Sequence, residues 1–142
     1  MALCATAALA LGAVAAHAET FEVKMLNKGE KGTMVFEPDL LQIAPGDTVK
    51  FVPADKGHNA ESIEGMFPEG FEPFKGKINE EIDVTFDLEG AYGVRCKPHF
   101  GLGMVMLITV GTPVNAAAAE NAKMPKKAKE KFEALFEQIE AN

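Results

Sequence analysis

From position 20 to position 110 the chain is cut into short runs that alternate apolar and polar residues, with Pro, Gly and Asp between them. "TFEVKML" places Phe21, Val23 and Met25 on one face and Glu22 and Lys24 on the other, the period of a half-buried strand. "TMVF" (33–36), "LLQIA" (40–44) and "TVKFV" (48–52) follow closely, and "APGD" (44–47) puts Pro45 and Gly46 at the two central positions of a turn. "IDVTFDL" (82–88) alternates again, with Ile82, Val84, Phe86 and Leu88 expected inward. "AYGVR" (91–95) and the nearly unbroken apolar run "MVMLITV" (104–110) complete the set, the latter suited to an inner strand. Between them "EGMFPEGFEPFKGK" (64–77) reads as a long loop with room for a helical turn. Strands this short cannot bury one apolar face alone, so they must stack as two sheets, and the expected class is an all-β sandwich. The 142 residues, 47% of them hydrophobic, suffice for one domain with its own core.

After Gly111 the pattern changes to helix, first over "NAAAAENAK" and then over "PKKAKEKFEALFEQIEAN". Met124, Ala128, Phe132, Leu135, Phe136 and Ile139 recur at spacings of three and four and make one apolar face, with Pro125 suited to the first turn. The charges oppose the helix dipole. Lys126, Lys127 and Lys129 stand at the start, while Glu133, Glu137 and Glu140 stand near the end. Packing against the sandwich is therefore the expected support of this helix, with a partner-binding or membrane-surface helix as the alternative.

The first eighteen residues have a different character. "ALCATAALALGAVAA" is apolar and ends at Ala16-His17-Ala18, an A-x-A cleavage pattern, although no Lys or Arg precedes it. The segment reads as a signal peptide over 1–18, cut between Ala18 and Glu19, and it is short for a membrane span, which needs about 18–20 apolar residues. The expected layout is a leader (1–18), a sandwich (19–111) and a helical extension packed on it (112–142). Removal of Cys4 and His17 with the leader leaves one cysteine, Cys96, and two histidines, His58 and His99. No internal disulfide is then possible, and a lone exported thiol needs an intermolecular bond, a reactive role or a metal. The net charge of −7 argues against nucleic acid as partner.

"GVRCKPHFGLGM" brings that cysteine together with His99 and Met104 in one turn-rich loop. His58 precedes Cys96 by 38 residues and follows another strand and turn, so two strand-end loops at one pole would unite all four. A thiolate, two imidazoles and a thioether form a soft donor set, and trigonal His₂Cys with a weak axial Met is the blue-copper pattern. Taken singly, Met104 fits a core, His58 or His99 a surface, and Cys96 an inert thiol. Taken together, every Cys and His of the processed chain falls in one spacing. Zinc also takes Cys and His, but a thioether is a poor ligand for it. Nucleophilic Cys/His catalysis leaves the second histidine and the methionine without a role.

"AYGVRCKPHFGLGM" and "PGDTVKFVPADKGHN" resemble the pseudoazurins, periplasmic members of the cupredoxin family, and the resemblance extends through "FEVKMLNKGEKGTMVFEP" and the two C-terminal helices. It implies an eight-stranded Greek-key sandwich and one type 1 copper cycling between Cu(I) and Cu(II). The residues matching the family's ligands are His58, Cys96, His99 and Met104. It further implies that the Asn59 backbone N–H bonds the cysteine sulfur. Lys97 stands where relatives often carry Thr, which leaves a side-chain link to Asn59 open, and Leu102 stands where a Met is common.

The expected function is one-electron transport in the periplasm by a monomer that does not enter the membrane, rather than catalysis. Pro98, Phe100, Gly101 and Leu102 would form an apolar docking patch around His99. Lys56, Arg95 and Lys97, with Lys28, Lys75 and Lys77, would form a basic ring steering toward acidic partners. By resemblance the acceptor is a periplasmic nitrite reductase or a related enzyme, and the donor a c-type cytochrome. The alternative is a copper-binding or delivery protein without a redox role.

Overall fold

A computed structural model describes residues 17–141. The predicted leader lies outside these residues except for His17 and Ala18, and Cys4 lies outside them altogether. Among the described residues, eight strands form two four-stranded sheets. They are β1 (Thr20–Gly29), β2 (Gly32–Glu37), β3 (Leu40–Ile43), β4 (Asp47–Val52), β5 (Glu61–Ser62), β6 (Ile82–Phe86), β7 (Gly90–Arg95) and β8 (Val105–Val110). One sheet runs β2-β1-β4-β6 and the other β3-β8-β7-β5, with β1/β4 and β3/β8 parallel and the remaining pairs antiparallel. The turn at 44–47 forms as the sequence indicates: Gly46 takes φ +94°, which glycine adopts freely, and Asp47 N–H bonds the Ala44 carbonyl.

The unbroken apolar run of β8 has a structural reason. Every residue of β8 is buried. Met106, Ile108 and Val110 join Val23, Met25, Val49, Phe51, Phe86 and Tyr92 between the sheets. Val105 and Leu107 face the other way, into a second cluster with Ala128, Phe132, Leu135 and Phe136. That second cluster is the underside of α2 (Lys126–Glu140), which follows the short α1 (Ala116–Glu120). Each fully buried Phe, Leu or Ile contributes about 1.5–3 kcal/mol, which outweighs the unfavourable dipole of α2. α2 has no acidic residue in its first turn and no basic residue in its last. Its Lys126–Glu130 pair is exposed, 3.8 Å apart, and adds little. Lys131 reaches across to buried Asp39 at 3.4 Å and ties the helix to the sandwich.

Two expectations change, and one strand had not been foreseen. Leu88 is 39% exposed rather than inward, because β6 ends at Phe86 and the alternation continues in the sequence after the strand has stopped. The 64–77 connection contains no helix. Its phenylalanines close one side of the core instead: Phe71 stacks on Phe86 at 5.8 Å and meets Tyr92 edge-on at 4.8 Å, and Phe74 lies 5.8 Å from Phe51. The two-residue β5 had no detectable alternation and is held by pairing Glu61 with Arg95 and Ser62 with Val94.

Candidate metal centre

Two connections reach the same pole, one between β4 and β5 carrying His58, the other between β7 and β8 carrying Cys96, His99 and Met104. The second is a 3₁₀ segment, Lys97–Leu102, rather than an irregular loop, with Pro98 in its first turn. Its main chain draws the candidate ligands together. Cys96 N–H bonds the Met104 carbonyl at 3.0 Å, His99 N–H the Cys96 carbonyl at 3.2 Å, and Met104 N–H the His99 carbonyl at 3.1 Å. Gly103 ends the segment at φ +86°, against the Lys127 main chain of α2.

His58 Nδ1 stands 3.7 Å and His99 Nδ1 3.5 Å from Cys96 Sγ, and the three donor atoms lie within 4.8 Å of one another. Two donors bound about 2.0–2.3 Å from one ion at trigonal angles sit about 3.7 Å apart, so both sulfur–nitrogen sides of this triangle have the length that a shared ion gives. Met104 is fully buried in the same cluster as Cys96. The four residues predicted as ligands thus occupy one pole.

The surroundings prepare the donors. His58 Nε2 donates to Asn27 Oδ1 at 2.8 Å; an amide oxygen only accepts, so the proton sits on Nε2 and the Nδ1 lone pair faces the sulfur. Burial, then the adjacent His99, hold His58 below its ordinary pKa, while Asp55 opposes them. Burial raises the Cys96 thiol. The backbone N–H groups of Asn59 and His99 bond it and work the other way, and the Glu61 charge adds to the rise. Metal binding must therefore displace the thiol proton.

Asn59 answers the question raised by Lys97. Its Oδ1 accepts the Lys97 backbone N–H at 2.7 Å, so the link between the two connections does not depend on the side chain at 97. Its Nδ2 donates to Glu61 Oε2 at 3.1 Å and to the Gly76 carbonyl at 3.0 Å. Glu61, nearly fully buried, pairs with Arg95 at 2.7 Å, and the Arg95 guanidinium lies 4.8 Å over the Phe100 ring. The Arg95 charge is thereby paired with that of Glu61. Asn27 and Glu61 were both missed from sequence, and neither lies in a motif that would have marked it.

Residues 23–111 match the model of the copper binding proteins of the plastocyanin/azurin family. The chain belongs to this family. Within it, the chain is 55% identical to the pseudoazurin of Paracoccus pantotrophus over 138 residues, covering 95% of each. The solved pseudoazurin of Methylobacterium extorquens AM1 superposes with a TM-score of 0.81 at 45% identity, over 84% of this chain and 98% of that one. That of Hyphomicrobium denitrificans gives 0.80 at 42%, over 84% and 97%. Both the two-sheet cupredoxin architecture and the pseudoazurin resemblance read from sequence are borne out. Pseudoazurins are copper electron carriers, not enzymes, so copper is the cofactor, redox proteins are the partners, and the donor set described above fits that metal.

Proposed function

We propose that the copper is held by His58, Cys96, His99 and Met104, and that the protein carries single electrons in the periplasm to an acceptor such as a copper nitrite reductase, from a c-type cytochrome or similar donor. On this reading the leader (1–18) is removed between Ala18 and Glu19, leaving the sandwich (19–111) with its helical extension (112–142). The observation that carries the proposal is the difference in burial among the donors: His58 and Cys96 are fully buried, and His99 alone of the three reaches the surface.

Bound copper supplies a one-electron Cu(I)/Cu(II) couple. The chain's own residues do the rest. Asn27 orients His58, the Asn59 amide and the Lys97 main chain hold the two connections at a fixed separation, and the buried surroundings of Cys96 exclude water. Around His99, Pro98 is exposed and Leu102 is 57% exposed, an apolar rim for a transient partner. Lys75, Lys77 and Lys97 line a depression with Ile78 and Pro98 beside this rim, and Lys28 and Lys56 are exposed neighbours of Asn27 and His58. These five lysines form the basic ring, which steers encounter with an acidic surface although the whole chain is acidic.

The test is the rate at which the reduced protein is oxidised by a purified copper nitrite reductase as salt is raised. The proposal expects a rate that falls steeply with ionic strength and falls further when Lys75, Lys77 and Lys97 are changed to Glu. A salt-insensitive rate removes the basic ring, and no oxidation removes this acceptor.

A further inference from the structure

The first strand is anchored by a carboxylate placed for more than a main-chain hydrogen bond. β1 and β4 run parallel in a register that pairs Thr20 with Thr48. One residue before β1, Glu19 N stands 2.9 Å from Asp47 Oδ1, and the Glu19 carbonyl accepts the Thr48 N–H at 2.9 Å. The second oxygen, Asp47 Oδ2, accepts the Ala44 N–H at 2.8 Å and closes the 44–47 turn. Asp47 is only 6% exposed, and the Glu19 and Ala44 N–H groups together hold its carboxyl below its usual range. A carboxylate that already accepts the Glu19 N–H would bond an α-ammonium at the same nitrogen more strongly, because both partners then carry charge.

The nitrogen it faces is the one the leader peptide bond occupies. Ala16-His17-Ala18 ends immediately before it, and His17, Ala18 and Glu19 are all exposed, so a signal-peptidase-type hydrolase can reach the bond. Hydrolysis adds water across Ala18–Glu19: the Ala18 carbonyl carbon becomes a carboxylate, and the Glu19 nitrogen keeps the bonding pair and takes up protons to become an α-ammonium. We infer that Asp47 is the receptor for this ammonium, so that removal of the leader converts the start of β1 from a hydrogen bond into an ion pair and completes the anchorage of the sandwich. The inference rests on the cleavage reading given under Proposed function. It means that the processed chain is more stable than the same fold with a neutral nitrogen at Glu19. One carboxylate thus serves the turn before β4 and the new chain end together.

The experiment compares four copper-loaded proteins beginning at Glu19, with a free or an Nα-acetylated amine, each with and without Asp47→Asn. Acetylation is expected to lower the Tm by about 2–4 °C in the parent and to leave the Asp47→Asn protein unchanged. Equal effects of acetylation in both backgrounds overturn the inference. If Asp47→Asn does not fold, NMR titration of the parent's α-amine decides: it should titrate above the ordinary range of about 7.7–8.0, and titration within or below that range overturns the pairing. Sequencing the exported protein separates the two readings. A first residue other than Glu19 overturns the cleavage reading and the inference with it, whereas Glu19 first with no coupling overturns the inference alone.

Discussion

Asn27 Oδ1 accepts a hydrogen bond from His58 Nε2 at 2.8 Å across 31 residues of sequence. An exposed strand residue thereby sets the tautomer of a fully buried imidazole and turns its free lone pair toward Cys96. Asn27→Ala removes that constraint without opening the core. Copper affinity is expected to fall by about 10–100-fold with little change in unfolding midpoint. Competition against a chelator of known affinity measures it, and an unchanged affinity would show that His58 is oriented by packing alone.

The Glu61–Arg95 pair lies behind the loop that carries Cys96, with the Glu61 carboxylate buried and Arg95 only partly so. Arg95→Leu leaves the carboxylate facing Asn59 alone and is expected to cost about 2–4 kcal/mol. Glu61→Gln, which can still meet the Asn59 amide, is expected to cost less. Urea denaturation of the two variants gives the comparison, and an equal cost contradicts this ordering.

Two glycines of the same loop should respond differently to an added methyl group. Gly103 has φ +86° and a Cβ there would stand 3.2 Å from the Lys127 carbonyl oxygen, whereas at Gly101 nothing lies within 4 Å. Gly103→Ala is expected to cost about 1–3 kcal/mol and to disturb the copper spectrum, since Met104 is the next residue. Gly101→Ala should do neither, and a cost at Gly101 equal to that at Gly103 would contradict the account.

The copper-free protein should weaken in mild acid. His58 is held below its ordinary value of 6.5, chiefly by burial, so the unfolded chain takes up this proton at a higher pH than the folded chain does. The stabilisation is therefore fully present above pH 6.5 and lost as pH falls through the lower folded value. Urea midpoints from pH 7.5 down to 5 should decline, less so when His58 is replaced by Phe. A profile unaffected by that replacement contradicts the assignment.

These particulars show what was legible in the sequence. Period-two alternation reports burial, so Val23 and Met25 could be placed on the core face from the sequence, and the apolar run at 104–110 announced an inner strand. Cys96, His99 and Met104 were visible because one short loop carries all three. Leu88 misled because alternation records composition and not where a strand stops. Asn27, Glu61 and the phenylalanines of 64–77 act through contacts between distant segments, which leave no periodic trace. The charge placement in α2 was legible, and so was the need for packing to offset it.

The most direct measurement is to add Cu(II) to the chain beginning at Glu19 and record its visible and EPR spectra. The account predicts an intense blue thiolate-to-copper band with narrow hyperfine splitting, lost in Cys96→Ser. A colourless product, or a blue one that survives Cys96→Ser, would contradict the ligand assignment on which the account rests.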